Sequence, residues 1–270
     1  MPRLIDPGEP PAITLEALAD ALASTPADAR DEDAFASLGP LLAGLGRNRD
    51  FLADLAIAEL KDRHQRQTAN SYGPQVMLLT ADRRFVVRAN FWPARSDAVL
   101  RASGPAAFFY GFAHDHNFPF LTYGYAGPGY LSDDFVYDGD QVEGWPGEPV
   151  DLRPVGTTRL DPGRLLLYRA HRDVHVQHPP EALSVSLNIL ARDPAQQWRN
   201  QYEFDVTART IVRSMTTTAS EVLMSLAVHF GGGNGLDLAT SFAARHPSPR
   251  MRRTAAAALA SVAAAQALAA

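Results

Sequence analysis

Two histidines flank one aspartate in His114-Asp115-His116. On an extended chain, side chains two positions apart share a face, so both imidazoles can point one way. Asp115 then points away, or orders the ligands from behind. A third ligand has to come from elsewhere in the chain, and His175 is the leading candidate. It follows the turn signal Asp161-Pro162-Gly163 and the apolar run Arg164 to Tyr168. His171 shares its strand parity and stands second, as a ligand or as a base facing the substrate; His178 does not share it. Asp173 fits a place behind His175, and a His-His-Asp site also stays open. A lone His-x-His is as often a surface pair as a metal site, and the turn and histidine around position 175 add the weight. The chain has no cysteine, which excludes thiolate ligands, disulfides and cysteine nucleophiles. An imidazole set suits iron, copper, zinc, nickel or manganese alike.

The elements that must hold these residues change character along the chain. Residues 1–71 read as helical: Thr14 is a plausible N-cap, and Leu15, Leu18, Leu22, Phe35, Leu38, Leu41, Leu42 and Leu45 recur at helical spacing, with a further helix over Phe51 to Leu60. Residues 72–205 carry short apolar runs, Val76–Thr80, Phe85–Trp92, Ala106–Ala113, Phe120–Tyr125, Phe135–Tyr137, Arg164–Tyr168, Val174–Gln177 and Leu183–Leu190, punctuated by Gly, Pro and Asp. That pattern predicts an antiparallel sandwich or barrel. Residues 206–270 return to helix, over Ala219 to His229, Leu236 to Arg245 and Pro249 to Ala269. The fold class expected is α+β, an antiparallel barrel flanked by N- and C-terminal helices.

The order His-x-His, Pro-Gly turn, His175 and Ser184-Val185-Ser186-Leu187-Asn188 resembles the cupin superfamily over residues 72–205. Most cupins add a glutamate ligand four residues after the second histidine, and here that position is Phe120. No Asp or Glu occurs between Asp115 and Asp133, which leaves three histidines alone. A three-histidine site is similar to that of the thiol dioxygenases. The resemblance implies Fe(II), O2 as co-substrate, and an arginine that fixes a substrate carboxylate, a role matched by Arg88 with Asn90. Asn188 stands where that subgroup has a histidine. At the C-terminus, His246-Pro247-Ser248-Pro249-Arg250 and the alanine-leucine helix after it resemble the turn of HEAT-type repeats.

Arg88 also reads as a strand residue whose stem covers the barrel. The alternation Phe85-Val86-Val87-Arg88-Ala89-Asn90-Phe91 does not show which face is interior. Tyr123, with His171 and Arg88, completes the candidate catalytic set, although such tyrosines are more often wall aromatics. The net charge is −5, and Arg250, Arg252 and Arg253 form the densest basic cluster, too short for a nucleic-acid face and read as a solvated helix start. The Ala-rich tail is not expected to span a membrane, no leader pattern is evident, and a cytoplasmic location is expected. The function expected is an oxygen-activating non-haem iron oxidoreductase, a dioxygenase or oxygenase, on a small or peptide-borne substrate. The alternatives are a metal-dependent isomerase or lyase, and a non-enzymatic ligand-binding or scaffold protein. The helical regions offer a surface for a homodimer or a protein partner, and are not expected to fold alone.

Overall fold

The computed structural model describes residues 1–216 and 219–269, which divide into two compact units. The first unit comprises residues 1–137 and 151–193 and holds the N-terminal helices together with the sheets. Its elements in chain order are β1 (Arg3–Ile5), α1 (Leu15–Ser24), α2 (Glu32–Ala36), α3 (Gly39–Arg47), α4 (Phe51–Lys61), β2 (Val76–Ala81), β3 (Phe85–Trp92), α5 (Ala98–Ser103), β4 (Ala113–His114), β5 (Phe120–Ala126), β6 (Leu131–Val136), β7 (Arg153–Arg159), β8 (Leu165–Tyr168), β9 (Asp173–Gln177) and β10 (Ser184–Ala191). Six of the strands form one antiparallel sheet in the order β1-β8-β5-β10-β3-β2. The unit's other four strands pair in the order β4-β9-β6-β7, as part of a second sheet. The expected α+β class is present, with antiparallel strands in two sheets and not one closed ladder.

Strand alternation sorts the larger sheet into two faces. Val87 and Ala89 of β3, Leu121 and Tyr123 of β5, Leu165 and Leu167 of β8, and Leu187 and Ile189 of β10 pack with Leu18, Leu22, Phe35, Leu42 and Leu45 of the helices. The amphipathic helices therefore cover one face of the sheet, and burial of their apolar stripes holds them there. Thr14 caps α1 as expected, its Oγ1 accepting from the Ala17 amide at 3.2 Å. Turned the other way are Val86 and Trp92, Phe120, Leu166 and Tyr168, and Leu190, which form an interior cluster with Phe108, Tyr110 and Tyr130. Arg88 and Asn90 share the interior parity of Val86 and Trp92, which answers the question the β3 alternation left open.

One expected strand is not formed. Ala106–Ala113 begins in a 3-10 turn over Pro105–Phe108, Tyr110 makes an isolated parallel bridge to Gln177, and Ala113 enters β4. Gly104 and Gly111 hold positive φ on either side of the turn, at 77° and 84°, and Phe109 is left-handed at 56°, so extension is interrupted.

The second unit contains residues 138–150 and 194–270. It includes the hairpin of β11 (Tyr202–Asp205) and β12 (Thr210–Ser214), then α6 (Ser220–Phe230), α7 (Gly232–Arg245) and α8 (Pro249–Ala269). Met224, Val228, Ala239, Met251, Ala255 and Ala258 form its helical core. Each of the three helices touches the other two, a closed cluster in place of the stacked two-helix units that a HEAT-type array would require. The basic cluster does open a helix, α8, and its side chains are engaged as well as solvated. Arg250 is paired with Glu221 at 2.6 Å, donates to the Gly144 carbonyl and lies 4.8 Å over the Trp145 ring. Arg253 pairs with Glu143 at 2.6 Å. Among the described residues, no helix is long and apolar enough to cross a membrane.

Candidate metal centre

β4 and β9 are antiparallel neighbours, with His114 directly opposite His175. Opposed residues of an antiparallel pair project to one side, and His116 follows two positions on. The three rings meet there. The Nε2 of His175 lies 3.2 Å from the Nε2 of His114 and 3.2 Å from that of His116. Nitrogen ligands at about 2.0–2.1 Å from one ion stand about 2.9–3.4 Å apart in octahedral or tetrahedral arrangement, so the spacing suits a shared cation. All three ligand atoms lie within 4.8 Å of one another, and all three residues are buried.

Protonation favours the same reading. Burial pushes His116 and His175 well below the ordinary imidazole range, helped by the neighbouring histidines and, for His116, by Arg88. Neutral rings keep a lone pair for a metal. The Nδ1 of His114 lies 3.2 Å from the Phe112 carbonyl, and donation to it puts the ring's lone pair on Nε2, toward the other two histidines. Rings crowd around the three: Phe109 and Phe112 at 5.5 and 5.3 Å from His114, Phe118 and Phe120 at 5.2 and 4.6 Å from His116, and Tyr168 at 4.6 Å from His175. The donor set, burial and spacing fit a divalent metal ion.

Asp115 projects behind the ligands, where it has no part in the cluster. Its Oδ2 accepts from the Tyr137 hydroxyl at 2.6 Å and lies 3.4 Å from Nδ1 of His171. His171 donates its backbone N–H to the His116 carbonyl and takes a left-handed φ of 52°. It lies outside the three-histidine ligand group, and its Nε2 is buried without a partner. Asp173 is also committed elsewhere, holding the Arg169 guanidinium at 2.6 and 2.9 Å.

Tyr123 is not brought to the site. It lies on the helix-covered face of β5, so tight against α3 that a Cβ on Gly46 would stand 2.2 Å from its ring. Alternation alone decides this, because Thr122 and not Tyr123 shares the parity of Phe120.

Arg88 does face the interior. It stands opposite Asn188, which stands opposite Thr122, so the three form one row across β3, β10 and β5. Its Nε, and the side-chain oxygens of Asn90 and Asn188, are buried without a partner. Burial lowers the Arg88 pKa, opposed by Tyr72 and Tyr130, but a guanidinium remains charged across the working pH range.

Two further residues join the site that the linear pattern did not single out. Asp134 is opposite His175 on β6, accepts from Thr158 at 2.8 Å, and is pushed up to about 6 by burial. Burial raises the Tyr130 phenol, against hydrogen bonds with Gln177 and Thr122 that lower it, so it stays protonated. The β6–β9 register is the signal that places Asp134, and it becomes readable only when both strands are paired.

No protein-family model matches the chain, and no curated protein does. Among solved structures, it is similar to a cupin domain from Bordetella pertussis, at 14% identity over 45% of this chain and 95% of that one, with a TM-score of 0.27. A hydroquinone 1,2-dioxygenase from a Sphingomonas species matches at 10% identity, over 46% of this chain and 69% of its own, with a TM-score of 0.30. The lyase DddQ, a DMSP lyase from Ruegeria pomeroyi, matches at 15% identity over 72% and 78%, with a TM-score of 0.27.

Proposed function

We propose that this cupin-type double sheet is a metal-dependent enzyme, and specifically an oxygen-activating oxidoreductase on a small or peptide-borne anionic substrate. The observation that carries the reading is the convergence of three buried imidazoles on one point. A divalent metal, with Fe(II) as the first choice, would be held by His114, His116 and His175 and would supply Lewis acidity and redox capacity. With no carboxylate in the ligand cluster among the described residues, several coordination positions stay open for reactants.

The chain's own residues bind, orient and exclude water. Arg88 receives the anionic end of the substrate, with Asn90 and Asn188 beside it. Tyr130 offers a protonated hydroxyl at the junction of the two sheets. Phe109, Phe112, Phe118 and Phe120 keep bulk water from the histidines. In a dioxygenation both atoms of O2 enter the substrate, so no separate reductant is needed.

The second reading, a non-oxidative isomerase or lyase, has one observation in its favour. Asp134 titrates near neutrality beside His175, as an acid/base group does. Oxygen uptake by iron-loaded protein, measured against a panel of thiols, amino acids and peptides, separates the two. Turnover-dependent uptake supports the first. Turnover of a carboxylate substrate without oxygen consumption replaces it with the second, and absence of bound metal from protein purified without chelator favours a scaffold.

Arg88→Lys tests substrate recognition. Lysine cannot supply two parallel donors, so binding should weaken by on the order of 2–5 kcal/mol while metal content is unchanged. Equal affinity in the variant would remove Arg88 from the site's function.

A further inference from the structure

Arg88 is buried at 8% exposure, yet the groups that act on its charge are tyrosines and no carboxylate. A buried cation without a counter-ion is costly unless a ligand supplies the charge. Its Cζ lies 4.8 Å from the centroid of the Tyr72 ring. Tyr72 is 37% exposed and belongs to the irregular segment just before β2. A ring over a guanidinium covers its face, and although the Tyr72 side chain also hydrogen-bonds to the group, an in-plane donor remains. The Nε of Arg88 is unpartnered, and its cross-strand neighbour Asn188 is neutral, with a side-chain oxygen that also has no partner.

From this geometry we infer that Tyr72 is a positioning residue, which fixes the plane of the Arg88 guanidinium so that its edge receives a planar carboxylate. The inference rests on the reading of Arg88 as the anion site. Lysine at position 88 would lose the fork; loss of Tyr72 leaves the fork in place but lets it rotate. Tyr72 is also the exposed member of the pair, so a ligand reaching Arg88 passes its ring.

The test is a fluorescence titration of the full-length protein, as purified, with acetate and benzoate at fixed ionic strength. Wild type, Tyr72→Phe, Tyr72→Leu and Arg88→Gln are compared, with metal content and melting temperature measured for each. The expected result is carboxylate binding that Arg88→Gln abolishes, that Tyr72→Phe retains within about threefold, and that Tyr72→Leu weakens about five- to tenfold. Metal content stays equal throughout. Wild-type affinity in Tyr72→Leu overturns the inference and leaves the Arg88 reading standing. Equal loss in Tyr72→Phe and Tyr72→Leu also overturns it, by assigning the effect to the hydroxyl. No Arg88-dependent binding in wild type overturns both.

Discussion

His114→Ala and His175→Ala each remove one corner of the imidazole cluster, and each should abolish stoichiometric metal binding measured by elemental analysis. Full metal content in both would refute the centre. In metal-free protein the same residues set a pH dependence. His116 and His175 titrate below their unfolded value of about 6.5, so the unfolded state binds more protons as pH falls beneath that value, and stability drops with it. Asp134 acts with the opposite sign. Its folded value of about 6 exceeds the unfolded value of about 3.9, so its contribution is present below pH 4 and lost as pH rises through 6. Asp134→Asn should therefore stabilise chelator-treated protein at pH 7, by on the order of 2 kcal/mol, and leave stability at pH 4 nearly unchanged in urea titrations. The histidines were legible in the chain because strand parity is local. Asp134 was not, because its place beside His175 depends on pairing between strands distant in sequence.

At the scale of elements, Tyr123 and Gly46 form one contact between β5 and α3. Any side chain at position 46 must displace the Tyr123 ring, so Gly46→Val should destabilise the protein by about 1–3 kcal/mol in urea unfolding, with metal content retained. Tyr123→Phe should leave turnover and metal binding at wild-type levels; a large loss of turnover would return the phenol to the catalytic set. Most strands were visible as apolar runs bounded by turns. β7 was hidden, because Pro154 and Gly156 disguise it and few of its residues are buried. It lies at the edge of its sheet, where proline is tolerated since one side of the strand needs no partner. The run Ala106–Ala113 misled for the converse reason: its apolar residues fill the interior from a 3-10 turn, and composition alone does not separate that from a strand.

At the scale of the whole molecule, the second unit is discontinuous, since residues 138–150 complete it together with residues 194–270. Arg250 and Arg253 find Gly144, Trp145 and Glu143 in that excursion. A fragment of residues 194–270 lacks those partners and should show no cooperative urea transition by circular dichroism, whereas addition of the 138–150 peptide should restore helicity. The discontinuity was invisible in the sequence, where residues 138–150 read as one more turn-rich stretch between strands. It also sets a timetable. During synthesis every strand of the two sheets of the first unit, and all three histidines, have left the ribosome once residue 193 is exposed. The second unit waits for about 77 further residues, on the order of 4–15 s at ordinary elongation rates. For that interval the nascent chain carries the three histidines while residues 138–150 still lack their partners in residues 194–270, so assembly of the histidine cluster can precede that of the second unit.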